Sequence, residues 1–75
     1  MNPGQLAWRC RRGLKELDLP LTAYLSEQYD TATPEERERF HRLIEEPDDI
    51  LWRYFYQGLQ PDDPKLESII RKIRP

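Results

Sequence analysis

The stretch "TPEERERFHRLIEEPDD", Thr33 to Asp49, decides the fold class. Thr33 offers a hydroxyl at an N-cap and Pro34 takes the first helical position, where a missing N–H costs nothing. Glu36 stands at N3, from where its carboxylate can reach back to the cap amide, completing a capping box. This predicts a helix over 34–45, with Phe40, Leu43 and Ile44 on one stripe and Glu36, Arg37, Glu38, Arg39, Arg42 and Glu45 pairing around the wet side. Pro47-Asp48-Asp49 then stops that helix and caps another of about 49–57, which carries Ile50, Leu51, Tyr54 and Phe55 on one side and meets Gly58 at its exit.

The same punctuation continues outward in both directions. Asp62-Asp63-Pro64 opens a last helix whose Leu66, Ile69, Ile70 and Ile73 keep i, i+3, i+4, i+7 spacing. Upstream, Leu14, Leu17, Leu21, Tyr24 and Leu25 mark a second helix, which Pro20 is expected to kink or divide because its ring removes a donor and crowds the preceding turn. A short first helix over 5–12 places Leu6 and Cys10 one turn apart and stops at Gly13. No stretch alternates apolar and polar residues long enough to propose a strand. The expectation is an all-α single domain over residues 1–75, a small bundle of about five short helices.

The chemical inventory is thin. One cysteine, Cys10, can build neither an intramolecular disulfide nor a thiolate metal cage, and its place beside Leu6 reads as a small buried thiol. The sole histidine, His41, falls on the polar side of its helix as a solvated surface group. Asp48/Asp49 and Asp62/Asp63 are explained as helix caps rather than cation ligands, and three glycines make no phosphate loop. We therefore expect no catalytic residue, no metal site and no enzyme. The opening Met-Asn-Pro-Gly-Gln carries no export signal and no apolar run approaches a membrane span, so the expected compartment is the cytoplasm, without membrane insertion.

Charge is unevenly laid out within a net −2. Arg9, Arg11, Arg12 and Lys15 give the first fifteen residues a wholly basic start, whereas residues 16–64 hold thirteen acids against four arginines. Such asymmetry steers encounter with a partner more than it stabilises a fold. Two readings of Arg11-Arg12-Gly13-Leu14-Lys15-Glu16 stay open at this point. In one, Gly13 turns an inter-helix corner and caps the second helix, Glu16 at N3 meets its positive end, and the arginines offset the negative end of the first helix, with Trp8 and Arg12 placed to stack. In the other, the cations and the carboxylate face outward as a docking surface, with the glycine admitting another backbone closely.

Trp8-Arg9-Cys10-Arg11-Arg12-Gly13-Leu14-Lys15-Glu16-Leu17-Asp18 resembles the signature of the SdhE-type flavinylation factors, with Arg12, Gly13 and Glu16 filling an R-G-x-x-E core. The likeness continues through Glu27-Gln28-Tyr29-Asp30, Arg42 to Asp49, Trp52 and Leu66-Glu67, and so covers nearly the whole chain. It implies an assembly factor that binds the flavoprotein subunit of succinate dehydrogenase or fumarate reductase and promotes covalent attachment of FAD to a histidine of that partner. The FAD would be the partner's, with none held tightly by this chain, and the factor would be a monomer when free. The implied partner-binding residues are Trp8, Arg11, Arg12, Gly13, Glu16 and Asp18. The rival reading is a small regulatory module that binds nucleic acid, or an inhibitor- or toxin-type protein, through its basic N-terminal region. The net acidic or near-neutral third and fourth helices argue against a DNA-recognition helix. Trp52 and Tyr56, one turn apart on the fourth helix, are expected at the edge of the core.

Overall fold

The structure, a computed structural model, describes residues 2–75. It is all-α: α1 (Pro3–Arg9), α2 (Lys15–Glu27), a 3-10 turn (Tyr29–Thr31), α3 (Pro34–Leu43), α4 (Asp48–Tyr56) and α5 (Pro64–Ile73), with no strand among the described residues.

The helices begin where side chains satisfy their free amides. Thr33 accepts from the Glu36 amide at 3.1 Å, and Asp63 accepts from the Lys65 amide at 2.9 Å. The Glu36 carboxylate does not turn back to close the expected box. It crosses the bundle to take the Tyr24 hydroxyl at 2.6 Å and the Lys72 ammonium, because a tyrosine oxygen facing the core needs an acceptor. The first helix starts earlier than its apolar spacing suggests: Asn2 accepts from the Gln5 amide at 2.8 Å while Gln5 accepts from the Asn2 amide at 3.3 Å, a reciprocal cap. The α4 exit turns at Gly58 with φ +68°, the left-handed conformation that lets the Leu59 amide return to the Arg53 carbonyl.

Pro20 neither divides nor ends α2, which runs through it. A proline cannot donate to the carbonyl four residues back, here that of Glu16, and the Tyr56 hydroxyl donates to that oxygen instead, at 2.7 Å. Leu14 is not part of the buried stripe but the N-cap of α2, 44% exposed.

Leu25 and Ile50, expected on the buried stripes, are only partly buried against the core, which is otherwise the one the spacing predicts. Leu17, Leu21 and Tyr24 of α2 meet Phe40 and Leu43 of α3, Leu51 and Phe55 of α4, and Ile69 and Ile70 of α5, with Leu6 and Cys10 sealing the α1 end. Tyr24 and Phe40 lie with ring centroids 4.7 Å apart. Burial of each such large side chain contributes roughly 1.5–3 kcal/mol. These contacts fix the ends of α1, α3 and α4 around one corner.

Candidate functional site

The chain leaves α1 at Cys10, which is fully buried; burial raises its thiol to about 11, so it is a thiol and not a thiolate at neutral pH. It then passes Arg11, Arg12 and Gly13 before α2 begins. Gly13 has φ +87°, which disfavours any residue with a Cβ, yet a Cβ built there would meet nothing within 4 Å. The glycine is required by backbone conformation, and the space above it is open.

Arg12 is directed into the fold. Its Nε donates to Asp48 Oδ1 at 2.8 Å, Nη1 donates to the carbonyls of Ile44 at 2.7 Å and Arg9 at 3.1 Å, and Nη2 donates to the Glu46 carbonyl at 2.6 Å. The side chain is 15% exposed. One guanidinium therefore satisfies carbonyls at the ends of α1 and α3, where its charge also meets the negative poles of two helices, and it grips the first residue of α4. Asp18 is turned the same way and accepts the Arg12 backbone amide. The outward reading of the corner thus fails for Arg12, and Asp18, named among the implied partner-binding residues, is likewise half-buried and turned inward. The cause is four acceptors converging where only an arginine fork can reach them. Trp8 does not stack on Arg12 either: α1 stops at Arg9, and Trp8 stands 75% exposed.

The remaining residues of the motif face out. Trp8, Arg11, Gly13 and Glu16 are exposed, as are Arg9 and Lys15. Because Leu14 caps α2, Glu16 is its second residue rather than its third, and its carboxylate lies near the positive helix end. Leu19, 66% exposed, extends this face. It was not singled out from the sequence, although the signal was there: Leu19 stands off the Leu17/Leu21/Tyr24 stripe. Trp52 is half-buried and its ring centroid lies 4.7 Å from that of Tyr56, which is 43% exposed, so the pair is part core edge and part surface. A groove of about 420 Å³ runs between Leu14, Asp48, Trp52 and Gln57. A second, of about 540 Å³, runs between Glu16, Leu19, Tyr56 and Ile73. Glu16 and Leu14 thus stand on a ridge with an apolar-lined groove on either side.

His41 departs from its expected place. It is half-buried with Nε2 2.6 Å from the Tyr29 hydroxyl, and Arg37 lies over the Tyr29 ring at 5.0 Å while donating to the carbonyls of Tyr29 and Asp30. These groups latch the 3-10 turn to α3. Among the described residues no group of three or more His, Cys, Asp or Glu side chains could hold a metal ion, and no helix is long and apolar enough to cross a membrane.

The family model described as flavinator of succinate dehydrogenase matches residues 4–75. The chain is similar to the FAD assembly factor SdhE of Methylococcus capsulatus, at 41% identity over 71 residues that cover 95% of this chain and 86% of the relative. It is 34% identical over 70 residues to the FAD assembly factor SdhE of Coxiella burnetii, covering 93% and 85% of the two chains. It is 30% identical over 73 residues to that of Yersinia pestis, covering 97% and 83%. No solved structure matches it.

Proposed function

The chain belongs to the flavinator of succinate dehydrogenase family, and we propose that it is an FAD assembly factor that docks on the flavoprotein subunit of succinate dehydrogenase, or of fumarate reductase, through the Gly13 corner. The supporting observation is the division of labour inside the R-G-x-x-E core. Arg12 is sewn into three helix ends, whereas Gly13 and Glu16 are left exposed, as are their sequence neighbours Trp8, Arg11, Leu14 and Leu19. Arg12 and Asp18 brace the corner, and the outward residues meet the partner.

In this reading the covalent bond to FAD forms within the partner, between its own histidine and its own flavin. The factor contributes no nucleophile: Cys10 is a buried thiol and His41 is held by Tyr29. Its contribution is to hold the partner's histidine and flavin in a reactive geometry, and positioning of this kind lowers a barrier by several kcal/mol. Open space above Gly13 suits close approach of a partner backbone, and the exposed Glu16, with Lys15 lining the same groove, can exchange charge-assisted hydrogen bonds. In this reading the compartment is the cytoplasm.

The test is gel fluorescence of covalent flavin on the succinate dehydrogenase flavoprotein, supplied with the wild-type chain, Gly13→Arg or Glu16→Ala. Both variants are expected to leave the partner poorly flavinylated; Glu16→Ala melts like wild type, and Gly13→Arg, strained by the positive φ, is assayed at a temperature where circular dichroism shows it folded. Equal fluorescence from all three would remove the corner from the interface.

A further inference from the structure

The turn of α2 that carries Glu16 is weakly held by its own helix. Its N-cap, Leu14, supplies no side-chain acceptor, and Pro20 removes the amide that would close the Glu16 carbonyl. Two bonds from outside the helix make up for this: the Asp18 carboxylate ties back to the Arg12 amide, and the Tyr56 hydroxyl donates to the Glu16 carbonyl at 2.7 Å from forty residues away. Tyr56 is the last residue of α4; its ring lies against Trp52 and lines the same groove as Glu16.

We infer that Tyr56 is a positioning residue for the docking face: its hydroxyl replaces the donor that Pro20 lacks, and so fixes the first turn of α2, and with it the bearing of the Glu16 carboxylate, against α4. Pro20 and Tyr56 form a matched pair. A proline at this place is tolerated because the tyrosine is present, and the tyrosine hydroxyl matters because the proline is present. The inference builds on the docking role proposed above for Glu16, but the pairing itself is a property of the free chain.

That logic makes the pair separable by a double-mutant cycle. Tyr56→Phe keeps the ring and deletes the donor; Pro20→Ala returns an amide to the Glu16 carbonyl. Covalent flavin on the succinate dehydrogenase flavoprotein is titrated with each variant well below its melting temperature. Tyr56→Phe is expected to raise the half-saturating concentration about three- to tenfold, the size expected of one lost hydrogen bond, with the plateau unchanged. Pro20→Ala and the double variant are both expected within about twofold of wild type. A general stability loss does not move the half-saturation point of a folded protein, and comparing Pro20→Ala with and without Tyr56→Phe separates specific rescue from the general stabilisation that removing a helical proline brings. Amide hydrogen exchange on the free chain is the second readout: Tyr56→Phe is expected to speed exchange at Asp18 and Leu19, and the added Pro20→Ala to slow it again. Unchanged exchange in Tyr56→Phe, or a double variant that exchanges as fast as the single, overturns the pairing. If exchange responds as stated while Glu16→Ala and Tyr56→Phe both flavinylate like wild type, the pairing stands and the docking role of this turn falls.

Discussion

Replacing Arg12 separates bracing from binding. Arg12→Ala deletes a fork that meets three carbonyls and one carboxylate from a side chain only 15% exposed. Hydrogen bonds involving a charged group contribute about 1.5–3 kcal/mol each, but they do not add, water can reach the 43% exposed Asp48, and the longest bond, to Arg9, is weak. A loss of about 3 kcal/mol is therefore expected, chiefly from the Ile44 and Glu46 carbonyls. At roughly 0.05–0.15 kcal/mol per residue, a chain of 75 residues has only ~4–11 kcal/mol in all. The melting temperature falls by about 12–24 °C at the usual 4–8 °C per kcal/mol for domains of this size. Arg12→Lys keeps the charge but not the fork, and recovers only part of that loss. The assay is thermal unfolding by circular dichroism, run beside flavin transfer to the partner at a temperature where every variant is folded. Arg12→Ala is expected to regain flavinylation there, whereas Glu16→Ala melts like wild type and stays defective. A drop under about 3 °C for Arg12→Ala, with flavinylation lost in the cold, would refute the inward assignment.

Two further outcomes follow from ionisation. Hydrogen bonds from Lys72 and then Tyr24 hold the Glu36 carboxyl below its ordinary value of 4.5, so its stabilising contribution is complete above that pH and disappears as pH falls through the lowered folded value. The difference in melting temperature between wild type and Glu36→Gln is accordingly expected to be largest near neutrality and to shrink steadily below pH 4.5; a constant difference down to pH 3 would contradict it. Cys10, buried and raised to about 11, is expected to resist iodoacetamide at pH 8 in the native chain and to react at once in denaturant, as followed by intact mass.

Much of this architecture is written in local spacing. Thr33-Pro34, Asp63-Pro64 and the apolar positions of the last helix announce themselves within one or two turns, because a cap and an amphipathic stripe are properties of neighbours in sequence. Asn2-Pro3 carries the same kind of signal and marks α1 earlier than its leucine spacing does. What was not legible depends on groups far apart. Pro20 reads as a break until Tyr56 supplies the donor from the end of α4. Asp48 reads as a cap until Arg12 claims it across 36 residues. Within the motif, composition singles out a basic cluster but not its orientation: Arg11 and Arg12 are adjacent and chemically identical, and only the converging carbonyls of Arg9, Ile44 and Glu46 decide which of the two turns inward.

That clamp also makes the corner conditional. The carbonyls of Ile44 and Glu46 converge on Arg12 only after the third and fourth helices have packed, so a half-synthesised or locally melted chain has no shaped surface to offer. Under the proposed docking role, folding itself thereby licenses engagement, and a growth screen at a temperature that melts Arg12→Ala would rank lesions at Arg12 and at Glu16 as equals although one removes the handle and the other its grip.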